Sequence, residues 1–514
     1  MHQPYYRNLL TGVAQMPWVR LHGAKDYLDM VKTLDKYPAI RLTFNFVPSL
    51  VEQIEDYASG SLKDQFLELS YKPAAHLTGE EKGFILENFF SINKDKVISL
   101  FPRYYELYFK KAKGLEFTTQ DYLDLQVLFN LAWIDPLFRQ SFPELKNVVS
   151  KGRFFSEEEK RVVLDKQLEI LQAIIPAYKE AMACGQIELS VTPYYHPILP
   201  LLYNTKCAKE ANTKTILPKL NFSYPEDAQA QMDTALRFYQ ERFAVPAEGM
   251  WPSEESVCER IVPLLIQGGL NWIVTDEAIL FKSLKKKKRE TRLLYQPHLL
   301  KRKNGALNVV FRDRNLSDLI GFVYHNLTAE AAATDFMKHL QDIASFFKNE
   351  DILVTIAMDG ENAWEYYTND GHDFLELLYK RLSEADFVKT TTVSEYLKTH
   401  PPKHEIKHLA TGSWIFGNFD KWMNNPYKAR AWEWLAEARQ QLEAMMDERR
   451  GARDERIALA LKQIYICEGS DWFWWYGEDP GGNFDSLFRA HLYNFYTLLG
   501  KDAPEYLKKP LGLS

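Results

Sequence analysis

Two short segments of the sequence place carboxylates beside a tryptophan. Residues 249–257 contain Trp251 and Glu254, and residues 356–365 contain Asp359. A sugar ring packs its apolar face on an indole, and in most glycosidases two carboxyl groups flank the bond that is cleaved. The pattern therefore indicates a carbohydrate site in which Glu254 and Asp359 carry out the chemistry.

Each of these acids also has a purely structural interpretation. Asp359 followed by Gly360 is a common turn dipeptide. Glu254 and Glu255 fit the first turn of a helix capped by Ser253, where negative charge offsets the helix dipole. A helix that starts at the end of a strand still presents its first side chains at the strand mouth, so the structural and catalytic roles are compatible.

Short apolar runs alternate with helical stretches over most of the chain. Strands are predicted at six places, residues 41–46, 187–191, 248–251, 271–275, 352–357 and 387–390. Helices are predicted at residues 226–242, 256–267, 329–347 and 373–384. Such alternation predicts a parallel sheet or barrel.

Parallel α/β folds gather their functional side chains at the carboxyl ends of the strands. In this interpretation four acids lie at such ends, namely Glu188, Glu254, Asp276 and Asp359. We therefore expect the four carboxyl groups to share one mouth of the sheet. Residues from about 60 to 180, and again from about 425, show helical patterns that predict an insertion and a helical C-terminal region.

Composition excludes several classes of function. The chain has 514 residues and a formal net charge of -6, so we expect no nucleic-acid partner. No apolar run reaches the length of a membrane span, and we expect no membrane partner. Four widely spaced cysteines without a C-x-x-C pattern favour a reducing, cytoplasmic location, and the N-terminus shows no signal-peptide pattern.

Residues 404–408 match the H-E-x-x-H pattern of zinc proteases. That motif binds zinc only on a helix, where both histidines share a face. Pro401 and Pro402 lie just upstream, and the surrounding residues show no helical period. We interpret the segment as a polar loop, and residues 285–289, a short basic run, as a solvated loop.

Five segments together resemble glycoside hydrolase family 57, a family of α-glucan-active enzymes. They are residues 2–4 (His-Gln-Pro), residues 185–188 with 194–197, residues 251–254 (Trp-Pro-Ser-Glu), residues 359–361 (Asp-Gly-Glu) and residues 468–472 (Glu-Gly-Ser-Asp-Trp). The segments occur in the family's order and span nearly the whole chain. The set is therefore more specific than any one of its members.

The resemblance implies a retaining mechanism on a seven-stranded β/α barrel, with Glu254 as nucleophile and Asp359 as general acid/base. It implies a catalytic domain over residues 1–400, with a helical insertion at about 60–180, and a C-terminal helical bundle over 401–514 that contributes to the cleft. The substrate-binding residues that it implies are His2, Gln3, Glu188, His196, Trp251, Glu361, Trp364, Asp471 and Trp472. We expect no metal and no other cofactor.

The strand count is one short of this barrel. Relatives carry an apolar strand just before His-Gln-Pro, whereas here Met1 directly precedes His2. The sequence therefore predicts a missing or truncated first strand. A translation start upstream of Met1 is the favoured explanation, and it would also change the signal-peptide and location predictions.

Two expectations concern protons near the site. Asp359 should be protonated at rest, because burial near Trp364 and the charge of Glu254 would raise its pKa. Glu255 stands where relatives are expected to carry a small residue. We expect its side chain to point into solvent or toward a helix N-terminus.

The leading hypothesis is a retaining hydrolase of α-1,4 links, and also of α-1,6 links, in α-glucans or maltooligosaccharides. The second region and the residues after Asp359 most resemble the amylase and amylopullulanase branch. A 4-α-glucanotransferase, a non-catalytic glucan-binding or regulatory protein and a metal-dependent barrel hydrolase are the alternatives. The sequence does not define the oligomeric state.

Overall fold

A mostly parallel sheet organises the protein in the computed structural model, which describes residues 1–348, 350–361, 363–448, 454–477 and 483–511. Its strands are β1 Leu42–Phe46, β2 Ile187–Val191, β3 Gly249–Met250, β4 Trp272–Asp276, β5 His298–Arg302, β6 Gly305–Arg312 and β7 His404–Glu405. Their order in the sheet is β1-β2-β3-β4-β6-β5-β7. Only β5 and β6 pair antiparallel, and the other neighbours run parallel.

The structure confirms the first four predicted strands and changes the rest. Residues 352–357 run beside β6 but pair with it only through a bridge between Thr355 and Arg312. Residues 387–390 form no strand. The β5–β6 hairpin was not predicted; its two-residue turn is Lys303 and Asn304, and Gly305 begins β6 opposite Arg302.

Seven strands form the barrel-type sheet, but hydrogen bonds among the described residues do not close it. A gap separates β1 from residues 352–357. At one end of the gap the Met1 backbone nitrogen donates to the Asn45 carbonyl at 2.8 Å, and Val47 donates to the Met1 carbonyl at 3.2 Å. Met1 thus pairs with the free edge of β1.

Helices fill the long connection between β1 and β2. The longest, Glu157–Ala183, begins at a capping box formed by Ser156 and Glu159. The helices before β2 are Trp18–His22, Leu28–Thr33, Pro48–Ala58, Gln65–Tyr71, Gly79–Asn88, Pro102–Ala112, Thr119–Ala132, Pro136–Ser141, Pro143–Lys151 and Glu157–Ala183.

The later helices cover the sheet and extend the cleft. The helices predicted at residues 226–242, 329–347 and 373–384 are present, whereas the one predicted at 256–267 is shortened to Val262–Gln267, after a 3-10 turn at Glu259–Ile261. The helices after β2 are Leu199–Tyr203, Ala208–Ala211, Pro225–Phe243, Val262–Gln267, Glu277–Ser283, Thr291–Leu294, Arg314–Asp318, Ala329–Phe347, His372–Glu384, Val393–Thr399, Asp420–Met423, Pro426–Glu448, Glu455–Cys467, Ser470–Trp475 and Phe484–Leu498.

Aromatic residues account for much of the buried core. Among the largest fully buried side chains are Trp133, Trp272, Trp422, Trp432 and Trp472. All four cysteines are free thiols. In the part of the chain that the structure describes, no helix combines the length and the apolar character needed to cross a membrane.

The H-E-x-x-H segment forms no helix. His404 and Glu405 form the short strand β7, which pairs with β5, and both side chains are exposed. Because adjacent strand residues point to opposite sides, this geometry does not provide the shared helix face of a zinc protease. The polar-loop interpretation is wrong for His404 and Glu405, which join the sheet edge, whereas residues 406–408 belong to no helix or strand.

Candidate active site

A cavity of about 900 Å³ runs along the sheet, from residues such as Arg41 and Trp272 at the amino ends of the strands to Glu254 and Asp359 at the carboxyl ends. Glu254 reaches it from the turn after β3, and Asp359 from the loop after residues 352–357. The predicted site residues that line the cavity are His2, His196, Trp251, Glu254, Asp359 and Trp364. The structure therefore brings the two proposed catalytic carboxylates to one space.

Glu254 is held tightly in an unusual backbone conformation. Its φ is 57°, in the left-handed region that non-glycine residues avoid, and it is only 5 % exposed. The Trp414 indole donates to Glu254 Oε2 at 2.9 Å, and the Trp414 backbone nitrogen donates to the Glu254 carbonyl at 3.2 Å. Ser470 Oγ lies 3.5 Å from the other carboxylate oxygen. Strain of this kind persists where the surroundings over-determine a functional geometry.

The carboxyl pair retains a proton readily. Burial raises the pKa of Glu254 to about 8, and the charges of Asp359 and Asp471 act in the same direction. The His2 charge and the Trp414 hydrogen bond oppose them. Interacting carboxyls titrate together, so the raised pKa of Glu254 belongs to the group of carboxyls around it and not to Glu254 alone. That Asp359 is the protonated carboxyl at rest stays a prediction.

His2 lies between two carboxylates at the cavity wall. Its Nε2 is 3.7 Å from Asp359 Oδ1, and its Nδ1 is 3.3 Å from Asp471 Oδ1. Burial alone would lower the pKa of His2, but the two carboxylates outweigh burial and the pKa lies well above its ordinary value. His2 is therefore an imidazolium ion at neutral pH.

The neighbouring histidine has the opposite charge state. His196 stacks on His2 with ring centroids 4.0 Å apart, and its Nδ1 is 2.9 Å from Ser470 Oγ. Burial lowers the pKa of His196, and the charge of His2 lowers it further. The stacked pair thus holds one positive charge, placed next to Asp359.

The residues after Asp359 hold its loop in place. Glu361 is fully buried, and its Oε1 accepts a hydrogen bond from the His2 backbone nitrogen at 2.7 Å. Trp364 donates from its indole to the Gly360 carbonyl at 2.7 Å. Glu361 therefore positions His2, while Trp364 contributes to the cavity wall.

The structure does not bring Glu188 to this site, and the expectation that it lies at the carboxyl end of its strand is wrong. Glu188 is the second residue of β2, and it accepts from the Trp272 indole at 3.0 Å and from the Ser394 backbone nitrogen at 3.0 Å. These contacts lie at the opposite end of the strand. Asp276 does end β4, but it caps the next helix and pairs with Arg312 at 3.4 Å.

Gln3 and Trp472 lie behind the cavity wall. Gln3 Oε1 accepts a hydrogen bond from Tyr6 at 3.3 Å, and the fully buried Trp472 donates to the Ile466 carbonyl at 2.7 Å. Neither side chain lines the cavity. Their contacts are those of core residues that support His2 and Asp471.

Glu255 is fully buried, so the expectation of a solvent-facing side chain is wrong. Both of its carboxyl oxygens lack a hydrogen-bond partner among the described residues. Burial raises the pKa of Glu255 well above its ordinary value, although Arg312 opposes this rise. A neutral Glu255 adds no negative charge beside Glu254.

Sequence reasoning missed Trp414 and Ser470, the two residues that contact the Glu254 carboxylate. Ser470 lies inside the fifth motif, and Trp414 lies between Gly412 and Gly417 in a loop that the motifs do not cover. The sequence signal that could have indicated Trp414 is a tryptophan in a loop flanked by glycines. Other members of the predicted clusters, Asn362, Glu478 and Asp479, lie outside the described residues.

Two groups of side chains have the donor types of a metal site. The potential ligand atoms of His2, His196 and Asp471 lie within 4.8 Å of one another. Those of the buried residues Asp29, Asp135 and His372 do so as well. In the first group, the charge of His2 offsets that of Asp471. The expectation that the site requires no metal stays a prediction.

Comparisons with known proteins identify the family and the fold. The family model of glycosyl hydrolase family 57 matches residues 1–408. A branching enzyme from Thermococcus kodakaraensis superposes with a TM-score of 0.64 at 16% identity, covering 97% of this chain and 88% of that one. An α-amylase from Thermotoga maritima gives 0.63 at 14%, covering 99% and 94%.

A 4-α-glucanotransferase from Thermococcus litoralis gives a TM-score of 0.54 at 13% identity, covering 96% of this chain and 59% of that one. At these identities the superpositions establish the shared fold. A comparison with curated protein sequences finds no match.

Proposed function

The chain belongs to glycosyl hydrolase family 57, and from that membership we propose that it hydrolyses α-1,4 links of α-glucans with retention of configuration. Activity on α-1,6 links is part of the same proposal. Glu254 is the nucleophile and Asp359 the general acid/base. The observation that supports these roles most directly is that both carboxyls line one cavity, with Trp251 on its wall.

The reaction takes place in two steps. Asp359 donates a proton to the glycosidic oxygen while Glu254 attacks the anomeric carbon and forms a covalent glycosyl-enzyme. Asp359 then takes a proton from water, which attacks the same carbon and releases Glu254. His2, as an imidazolium ion, stabilises the Asp359 carboxylate between the steps. Trp414 stabilises the Glu254 carboxylate before attack and after release.

Trp251 and His196 complete the proposed sugar subsite at the scissile bond. Trp251 offers an indole face at the cavity, and its edge meets Trp414 at 5.7 Å between centroids. A neutral His196 can accept or donate a hydrogen bond to a sugar hydroxyl. Glu361 and Asp471 act on the sugar through His2, which both contact. Trp364 acts through the loop of Asp359, whose Gly360 carbonyl it binds.

A 4-α-glucanotransferase activity is the alternative of the same class. The cavity of about 900 Å³ is large enough to hold a sugar acceptor as well as the donor chain. Water and a sugar hydroxyl differ only in how well the acceptor subsites bind each, so the two activities can share one set of catalytic residues.

Incubation with maltooligosaccharides, followed by chromatography, tests the proposal. Shorter products alone indicate hydrolysis, and a ladder of longer products indicates transfer. No change in the substrate would support a non-catalytic glucan-binding protein and reject the proposal. Activity that disappears with EDTA and returns with a divalent ion would support the metal-dependent alternative. We also propose a cytoplasmic location and an α-glucan or maltooligosaccharide as the physiological partner.

A further inference from the structure

Phe416 is an exposed apolar residue in the loop that carries the active-site residue Trp414. It is 81 % exposed, the highest fraction among the exposed large apolar residues of the described chain. It lies in the loop of residues 412–419, two residues after Trp414. Single exposed apolar residues are common on protein surfaces, so exposure alone assigns no role.

The backbone at Phe416 adds a second unfavourable feature. Asn418 donates to the Ile415 carbonyl at 3.2 Å, and the two central residues of this turn, Phe416 and Gly417, have φ of 54° and 64°. Positive φ at both positions is the pattern of a type I′ turn, whose first central position is normally Gly, Asn or Asp. A bulky residue there is strained by roughly 1 kcal/mol or more.

The loop holds this conformation through hydrogen bonds on both sides of Phe416. Ser413 Oγ donates to the Asn418 carbonyl at 2.6 Å, and Lys282 Nζ donates to the Gly417 carbonyl at 2.5 Å. The Gly412 backbone exchanges hydrogen bonds of 2.8 and 3.0 Å with Val257. The ring is thus presented to solvent by a rigid loop, without support from packing.

The position of Phe416 relative to the nucleophile follows from Trp414. Consecutive Cα atoms are about 3.8 Å apart, so the Cα atoms of Phe416 and Trp414 lie within about 7.6 Å. Trp414 contacts Glu254 and lines the cavity, whereas Phe416 lies outside it. Trp251 and Trp414 line the cavity, and Phe416 adds an exposed aromatic ring two residues further along the same loop.

We propose that Phe416 is a sugar-binding residue at an outer subsite, where its ring packs against a glucosyl residue of a chain that extends beyond the cavity. A glucosyl ring has an apolar C–H face that matches an exposed aromatic face, and the rigid loop lowers the entropy lost on binding. Phe416 thereby gives the enzyme its preference for longer chains. This inference rests on the proposed action on α-glucans.

The test compares KM for maltoheptaose and for maltotriose in Phe416→Asn and Phe416→Trp. Asparagine tolerates the left-handed backbone, so Phe416→Asn removes the ring without adding strain. Phe154→Asn is the matched control, because Phe154 is also exposed (61 %) with a φ of 55°, but lies in the helical insertion. Thermal unfolding of each variant verifies folding.

We expect Phe416→Asn to raise KM for maltoheptaose about tenfold and KM for maltotriose much less, an effect that Phe416→Trp largely restores. Phe154→Asn should match the wild type. Equal KM values for maltoheptaose in Phe416→Asn and the wild type would overturn the inference while leaving the proposed function intact. If the wild type releases no product, the proposed function fails. Calorimetric titration with maltoheptaose then tests the role of Phe416: a Kd about tenfold higher in Phe416→Asn than in the wild type supports the inference, and equal Kd values overturn it.

Discussion

Replacing Trp414 by phenylalanine tests how far the Trp414 hydrogen bond lowers the pKa of the proposed nucleophile, Glu254. The change removes the indole N–H that lies 2.9 Å from Glu254 Oε2, and keeps an aromatic ring against Trp251 and under Arg312. A hydrogen bond to a charged group contributes about 1.5–3 kcal/mol. Since one pKa unit corresponds to about 1.4 kcal/mol, the pKa of Glu254 should rise by up to about one to two units.

The sign of the pH effect follows from the reaction. Glu254 attacks as a carboxylate, and the Trp414 hydrogen bond lowers its pKa against the larger effect of burial. In Trp414→Phe a larger fraction of Glu254 is protonated at pH 7. We expect kcat/KM at pH 7 to fall about tenfold to a hundredfold. The acidic limb of the kcat/KM profile should move to higher pH.

Trp434→Phe is the matched control for this experiment. The Trp434 indole nitrogen is buried without a hydrogen-bond partner among the described residues, and its ring stacks on Tyr506 away from the cavity. That variant should keep the wild-type pH profile. An unchanged profile and kcat/KM in Trp414→Phe would show that the hydrogen bond does not control the ionisation of Glu254.

The remaining predictions concern the carboxyl groups and His2. Glu254→Gln should abolish release of shorter oligosaccharides, while Glu255→Gln keeps most activity because the buried Glu255 is already neutral; the reverse result would reject the assignment. The first product observed by proton NMR should carry the α-anomeric configuration, and a β-anomer would mean inversion. Because the pKa of His2 is raised on folding, its stabilising effect is complete below about pH 6.5 and is lost as pH rises through the higher folded value. Denaturant unfolding of wild type and His2→Gln should therefore differ most near pH 6 and least at alkaline pH, and a difference that grows with pH would contradict the ion-pair interpretation.

The sequence predicted elements whose pattern is local. The strand Ile187–Val191 alternates clearly, and its predicted bounds are correct. The hairpin formed by β5 and β6 was missed because residues 298–302 combine leucines with lysine and arginine at a partly exposed position in the sheet. Residues 352–357 have the composition of a strand, but only Thr355 pairs with β6, and no strand of the described chain pairs with their other edge.

The sequence predicted those site residues that lie inside recognisable motifs. Glu254, Asp359 and His2 were found because they stand in short recognisable segments, and the structure places them around one cavity. Trp414 was missed because its contact with Glu254 joins residues 160 positions apart and depends on loop conformation. Glu188 was misplaced because alternation identifies a strand and a face, but not which end of the strand the active site occupies.

Because of the gap beside β1, the amide hydrogens on the two edges of this strand should exchange with solvent at different rates. Leu42 donates to the Gln186 carbonyl on the β2 side, so alternation places the amides of Phe44 and Phe46 on that side as well. The amides of Thr43 and Asn45 face the gap, where no strand of the described chain pairs with them. In hydrogen–deuterium exchange, protected and fast-exchanging amides should therefore alternate along a strand of five residues.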